Sequence, residues 1–129
     1  MDRLRVLFVD DEQELVSAVV ERLEIRDIDA CGAASGVEAL QKLNQQSYDV
    51  AILDVRMPGL SGLETLRRVK YEHPEIAVIL LSGHGSTEDV DRGLQLGACA
   101  YLQKPVNIDH LVDLIRKATQ EGSTGSRGE

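Results

Sequence analysis

The sequence predicts an open parallel β-sheet with helices on both faces, and two observations support this. Five short apolar runs alternate with five stretches of helical periodicity over about 120 residues, which is typical of repeated strand–helix units. Three of the runs are almost unbroken aliphatic segments rich in Val and Ile, as expected of strands buried on both faces of a parallel sheet. The runs occupy residues 4–9, 28–33, 50–53, 76–81 and 99–102.

Four of the intervening stretches have a clear apolar stripe at helical spacing. Ser35 predicts a capped start of the second helix, with Glu38 three residues later. Ser61 and Asn107 stand in cap positions before the third and fifth helices. The four stripes consist of Leu15, Val16, Val19 and Leu23; Val37, Leu40 and Leu43; Leu63, Leu66 and Val69; and Ile108, Leu111, Val112 and Ile115.

The fourth helical stretch, residues 86–96, is weaker than the others. Its large apolar residues are Val90, Leu94 and Leu96. Gly93 in its middle costs about 1 kcal/mol relative to Ala in a helix. We therefore expect a lightly anchored helix whose amides exchange faster than those of the rest of the core.

Composition excludes several classes of function. The chain of 129 residues carries 22 acidic and 14 basic side chains, a net charge of -8, so nonspecific binding to nucleic acid or to an anionic membrane is not expected. Four aromatic residues and no Trp argue against a module that stacks bases. No apolar run approaches the roughly 18 residues of a membrane span, and the first residues do not resemble a signal peptide.

These features predict a cytoplasmic protein. In a reducing compartment, Cys31 and Cys99 are expected to be buried free thiols, because both stand among apolar neighbours.

Residues 1–121 are predicted to form one domain. Residues 122–129, rich in Gly and Ser, are predicted to be a flexible tail or the start of a linker.

Polar side chains follow four of the five predicted strands. Asp10 and Asp11 follow the first, Asp54 the third, Ser82 the fourth and Lys104 the fifth. Because function in open parallel sheets lies at the carboxyl ends of the strands, these groups are expected to converge. Three carboxylates at close range need compensating charge, which one ammonium group and a hard divalent cation such as Mg²⁺ can supply.

Four short motifs stand at these strand ends in order: FVDDE, ILDVRMPGLSG, ILLSGHG and YLQKP. Together they resemble the receiver domains of bacterial two-component response regulators, over about residues 4–119. The resemblance implies a flavodoxin-like fold with a five-stranded sheet of order 2-1-3-4-5. It also implies an Mg²⁺-dependent reaction in which a sensor histidine kinase or a phosphotransfer protein donates a phosphoryl group to the chain.

The resemblance implies a role for each matching residue. Asp54 would accept the phosphoryl group as an aspartyl phosphate. Mg²⁺ would be held by Asp10, Asp11, Asp54 and the backbone carbonyl of Arg56. Lys104 would pair with the phosphoryl oxygens, next to a cis peptide bond to Pro105.

The remaining implied roles concern switching and regulation. Ser82 would hydrogen-bond to the phosphoryl group while Tyr101 swings inward, repacking the face made by the fourth helix, fifth strand and fifth helix. That face would bind a partner or a second copy of the chain. His84 and Arg56 would tune the lifetime of the phosphorylated form. The kinase would dock near residues 13–18 and 105–107, and the chain would catalyse only its own phosphorylation and dephosphorylation.

Other interpretations of these residues remain open. Asp10 and Asp11 could cap the first helix, Ser82 could cap the fourth, and Asp54 could belong to a turn. Lys104 could simply end a strand, and Tyr101 could be an ordinary strand aromatic.

Two other functional classes use similar folds. A flavin or nucleotide carrier would need phosphate-binding amides after the first strand, where this chain has acids. An aspartyl phosphohydrolase would need a carboxylate at position 56, where this chain has Arg56.

Overall fold

The computed structural model describes residues 3–83 and 87–123, with side chains described as far as Gln120. Within these residues five parallel strands form one sheet of order β2-β1-β3-β4-β5, which confirms the predicted fold. The strands are β1 (Arg5–Val9), β2 (Asp29–Ala33), β3 (Val50–Asp54), β4 (Ala77–Ser82) and β5 (Ala100–Gln103). The helices are α1 (Gln13–Ile25), α2 (Gly36–Gln45), α3 (Gly62–Glu72), α4 (Thr87–Gln95) and α5 (Ile108–Ser123).

Helices cover both faces of the sheet, so there are two apolar cores. On one face, Val19 and Leu23 of α1 pack with Leu111 and Ile115 of α5 against the strands. On the other face, Leu43 of α2 and Leu66 and Val69 of α3 pack against the opposite side of the same strands. Val37 was predicted to belong to the buried stripe of α2, but it is 56% exposed. Burial on both faces accounts for the nearly continuous aliphatic sequence of β1, β3 and β4.

Three predicted helix caps are confirmed. The hydroxyls of Ser35 and Ser61 each accept a hydrogen bond from the backbone N–H three residues later, at 3.1 Å. Asn107 Oδ1 accepts one from the third N–H beyond it at 2.9 Å. At α1 the cap residue is Glu12, whose side chain makes no capping bond. Instead, Asp10 Oδ1 accepts the Glu12 N–H at 2.9 Å, so Asp10 also orders the start of this helix.

Helix α4 packs through an unusually close approach to the sheet. Val90 and Gly93 are its buried residues, whereas Leu94 is 38% exposed. A Cβ atom at position 93 would overlap Cδ1 of Leu80 on β4. The absence of a side chain at Gly93 therefore allows the helix to pack closely on the sheet. This packing offsets the unfavourable helix propensity of glycine. The faster amide exchange expected for α4 stays a prediction.

The prediction that both cysteines are buried is wrong. Cys31 is partly buried and Cys99 is exposed. Cys31 lies on β2 and Cys99 immediately precedes β5, and these are the two edge strands of the sheet. Other side chains on these strands, such as Ala33 and Leu102, are buried, so apolar neighbours in sequence did not predict which side chains are covered. In the described part of the chain, no helix is both long and apolar enough to cross a membrane.

Candidate functional site

The carboxyl ends of β1, β3, β4 and β5 bring the predicted polar groups to one edge of the sheet. Asp10 is fully buried, and Asp54 and Ser82 are 4% and 3% exposed, whereas Asp11 is exposed. Carboxylate oxygens of Asp10, Asp11 and Asp54 lie within 4.8 Å of one another. The convergence expected from the strand ends is therefore present.

Lys104 is the cation at the centre of this cluster. Its Nζ lies 2.9 Å from Asp10 Oδ2 and 3.5 Å from Asp54 Oδ2. The peptide bond from Lys104 to Pro105 is cis, as the resemblance implies. The Lys104 N–H donates to the Ser82 carbonyl at 2.8 Å, which fixes the lysine backbone to the end of β4.

Glu12 is a member of the site that the sequence analysis did not assign. Its Oε1 lies 3.3 Å from Lys104 Nζ, although the side chain is 64% exposed. The sequence feature that could have indicated this role is the position of Glu12 as the third acid of the FVDDE motif. Spacing alone does not show that this side chain turns back toward Lys104, because the N-cap of a helix can also direct its side chain into solvent.

The donor set fits a hard divalent cation. Asp10 Oδ2 is buried and makes no hydrogen bond of normal geometry, although Lys104 Nζ is close enough for an ion pair. A buried carboxylate oxygen without a hydrogen bond is costly unless another positive charge binds it. With the neighbouring oxygens of Asp11 and Asp54, it offers the all-oxygen coordination that Mg²⁺ prefers.

Burial and charge shift the ionisation of two groups in the site. Burial is the main cause that raises the pKa of Asp54, and the nearby Asp10 raises it further. The Arg56 N–H and Lys104 oppose this rise without cancelling it. Burial lowers the pKa of Lys104, but Asp10, Asp54 and Glu12 outweigh it, so the net shift is upward. The lysine is therefore held in its charged form.

Both the side chain and the backbone of Asp54 are in close contact with nearby residues. Its Oδ1 accepts the Arg56 N–H at 3.1 Å, which leaves Oδ2 facing Lys104. A Cβ atom at Gly62, the first residue of α3, would overlap the Asp54 carbonyl oxygen. Helix α3 can thus begin directly against β3 only because this position is glycine, a supporting role that the sequence analysis missed.

Ser82 and Tyr101 both line a small cavity. Ser82 ends β4 and is buried, whereas Tyr101 on β5 is 50% exposed. This cavity has a volume of about 170 Å³ and is also lined by Thr87 and Val90 of α4. The space for an inward movement of Tyr101 is therefore present, but the movement itself stays a prediction. His84 lies outside the described residues.

Comparison with known proteins decides the family. The family model of the response regulator receiver domain matches residues 6–116. The chain belongs to this receiver domain family. A solved receiver domain from Clostridium thermocellum is 35% identical and superposes with a TM-score of 0.88, covering 94% of this chain and 98% of that one. The receiver domain of NtrX from Brucella abortus is 30% identical, with a TM-score of 0.84 over 89% of this chain and 98% of that one.

Curated relatives of this receiver domain are longer proteins. The transcriptional regulatory protein CpxR homolog of Haemophilus influenzae is 40% identical over 124 residues, which are 95% of this chain and 53% of that protein. The uncharacterized transcriptional regulatory protein YkoG of Bacillus subtilis is 35% identical over 96% of this chain and 54% of its own length. The chain thus spans about half the length of these two relatives.

Proposed function

We propose that this receiver domain accepts a phosphoryl group on Asp54 in an Mg²⁺-dependent reaction. A phosphohistidine of a sensor histidine kinase or a phosphotransfer protein is the proposed donor. The observation that carries the proposal is that the carboxylates of Asp10, Asp11 and Asp54 converge at one edge of the sheet. Lys104 pairs with two of them, Asp10 and Asp54, and Asp54 Oδ2 is the oxygen left for reaction.

The proposed step needs positioning and charge compensation more than acid–base chemistry. Asp54 Oδ2 attacks phosphorus, a bond from oxygen to phosphorus forms, and the bond from phosphorus to the histidine nitrogen breaks. Lys104, held in its charged form, would pair with the phosphoryl oxygens. When bound, Mg²⁺ supplies further positive charge at these oxygens.

Four groups would hold the metal ion. They are the carboxylates of Asp10, Asp11 and Asp54 and the backbone carbonyl of Arg56. The first three already share one small volume. In this proposal the chain acts as a switch and catalyses only its own phosphorylation and dephosphorylation.

The proposed output is a change of the face formed by α4, β5 and α5. Ser82 would move toward the phosphoryl group, and Tyr101 would turn into the cavity beside it. The phosphoryl group would favour the active conformation through contacts that the resting one lacks. The changed face would bind an output partner or a second copy of the chain, without direct binding to nucleic acid or to a membrane.

The kinase would approach the open rim around Asp54. The proposed contact segments are residues 13–18 at the start of α1 and residues 105–107 between β5 and α5. Such a reaction takes place in the cytoplasm, where the chain is proposed to reside.

Mass spectrometry of the intact protein tests the proposed acceptor. Incubation with acetyl phosphate and Mg²⁺ is expected to add about 80 Da, the mass of one phosphoryl group. Asp54→Asn is expected to remain unmodified, and chelation of Mg²⁺ is expected to prevent the adduct on the wild-type chain. An adduct of the same mass on Asp54→Asn would place the acceptor elsewhere.

A further inference from the structure

Arg56 connects the proposed phosphoryl acceptor to α4. It lies two residues after Asp54, and its backbone N–H donates to Asp54 Oδ1 at 3.1 Å. Its side chain extends in another direction, and Nε donates to Asp89 Oδ2 at 3.1 Å. Asp89 lies in the first turn of α4. One residue therefore contacts the acceptor through its backbone and α4 through its side chain.

The ion pair between Arg56 and Asp89 is suited to being broken. The Arg56 side chain is 66% exposed and that of Asp89 is 33% exposed, so water and salt weaken their attraction. A guanidinium group binds phosphate oxygens with the same planar donor geometry that it uses for carboxylates. A phosphoryl group on Asp54 would bring close to two negative charges next to this arginine.

We propose that Asp89 is a positioning residue that competes with the phosphoryl group for the Arg56 guanidinium. In the resting protein, Asp89 holds the guanidinium on α4; in the phosphorylated protein, the phosphoryl oxygens recruit it and α4 loses this tether. The inference rests on the proposed function of Asp54. By thermodynamic linkage, a partner that displaces α4 from Arg56 would strengthen the contacts between the site and the phosphoryl group.

Beryllium fluoride, an anionic tetrahedral mimic of a phosphoryl group on a carboxylate, gives an equilibrium test. In the presence of Mg²⁺, amide NMR titrations would measure its half-saturating concentration. Asp89→Asn is expected to lower this concentration about two- to five-fold, the range expected for loss of an exposed ion pair. On an Arg56→Ala background, which retains the backbone carbonyl, the same substitution is expected to have no effect.

A matched control separates this pair from the general charge of the helix. Glu88→Gln removes one negative charge from the same first turn of α4 and is expected to leave half-saturation unchanged. The effect of Asp89→Asn is also expected to decrease toward one-fold at about 1 M salt, where screening is strong. A change in helix packing alone would not depend on Arg56 or on salt in this way.

Three results would overturn the inference. They are an unchanged half-saturation in Asp89→Asn, the same fold-change on the Arg56→Ala background, or an equal effect of Glu88→Gln. Failure of the proposed function is distinguishable, because the wild-type chain would then acquire no phosphoryl adduct on Asp54. With the adduct present, the titrations test the coupling alone.

Discussion

Charged side chains at the two ends of the sheet differ in their burial and in their pairing. At the carboxyl ends of the strands, Asp10 and Asp54 are buried and share one cation, Lys104. At the amino ends, acids and bases are matched and closer to solvent. Asp49 accepts the Arg5 backbone N–H at 2.8 Å, and the guanidinium of Arg5 pairs with Asp29 at 3.4 Å.

Arg5 makes two further contacts at the amino end. It donates to the side-chain oxygen of Gln46, and its guanidinium carbon lies 5.7 Å from the centre of the Tyr48 ring. The amino end thus contributes to stability, whereas the carboxyl end keeps an excess of buried negative charge. Removing a negative charge is therefore expected to raise stability at the carboxyl end and to lower it at the amino end when metal is absent.

The largest expected effect follows from removing the shared cation. Lys104→Met leaves Asp10 and Asp54 buried without a positive partner, so the free energy of unfolding is expected to fall by about 3 kcal/mol in chelated buffer. Urea unfolding at neutral pH measures this change. Addition of Mg²⁺ is expected to recover part of the loss. Equal stability of variant and wild type in chelator would contradict the charge imbalance.

High pH tests the buried phenol at the amino end. Burial is the main cause that raises the pKa of Tyr48 from 10.0 to about 12, and the nearby Cys31 adds to it. Because the unfolded chain loses the proton first, the contribution of Tyr48 to stability is expected to be constant below pH 10 and to fall by up to about 3 kcal/mol toward pH 12.

Tyr48→Phe isolates this titration. The difference in unfolding free energy between wild type and variant should change only above pH 10, because other groups such as Lys104 titrate in both proteins. A difference that stays constant from pH 9 to 12 would show that the phenol ionises equally easily in the folded and unfolded chains.

A smaller change, a gain in the free energy of unfolding, is expected from neutralising Asp54. The raised pKa of Asp54 means that its charged form is disfavoured in the folded chain. Asp54→Asn is therefore expected to stabilise the metal-free protein by on the order of 1 kcal/mol at neutral pH. The gain should shrink as the pH falls toward the ordinary carboxyl pKa, because wild-type Asp54 is then protonated. Thermal unfolding in chelator, at pH 7 and at acidic pH, gives both values.

The smallest effect is expected for the matching substitution at the amino end. Asp29→Asn weakens an ion pair with Arg5 in which the Asp29 side chain is 45% exposed. Stability is expected to fall by less than about 0.5 kcal/mol, with sign opposite to that of Asp54→Asn. If both substitutions stabilised the protein, the contrast between the two ends would be wrong.

Much of the fold was predictable because it follows from periodicity. Unbroken aliphatic runs marked the buried strands, and Ser35, Ser61 and Asn107 marked helix starts through local hydrogen bonds. Strand boundaries were less certain: β5 begins at Ala100 rather than at Cys99. Cys99 was misjudged because its exposure depends on what packs over it in the folded chain, which its apolar neighbours in sequence do not show.

Two glycines show the same difference between local properties, which the sequence reveals, and contacts between elements, which it does not. Gly93 was assessed by its helix propensity, a local property, but its position is decided by the nearness of Leu80. Gly62 carried no signal of its own because the Asp54 carbonyl that it accommodates becomes its neighbour only when α3 folds back on β3. Close approaches between elements cannot be derived from the sequence of either element alone.

The sequence by itself determined the alternation of strands and helices and the identity of the acids, hydroxyl and lysine at the strand ends. Those properties depend on side-chain type and short-range order. Only the tertiary structure decided that Glu12 joins Lys104 and that Arg56 reaches Asp89 on α4. The physical reason is that long charged side chains have many rotamers, and their partners are chosen by the three-dimensional packing that brings distant segments together.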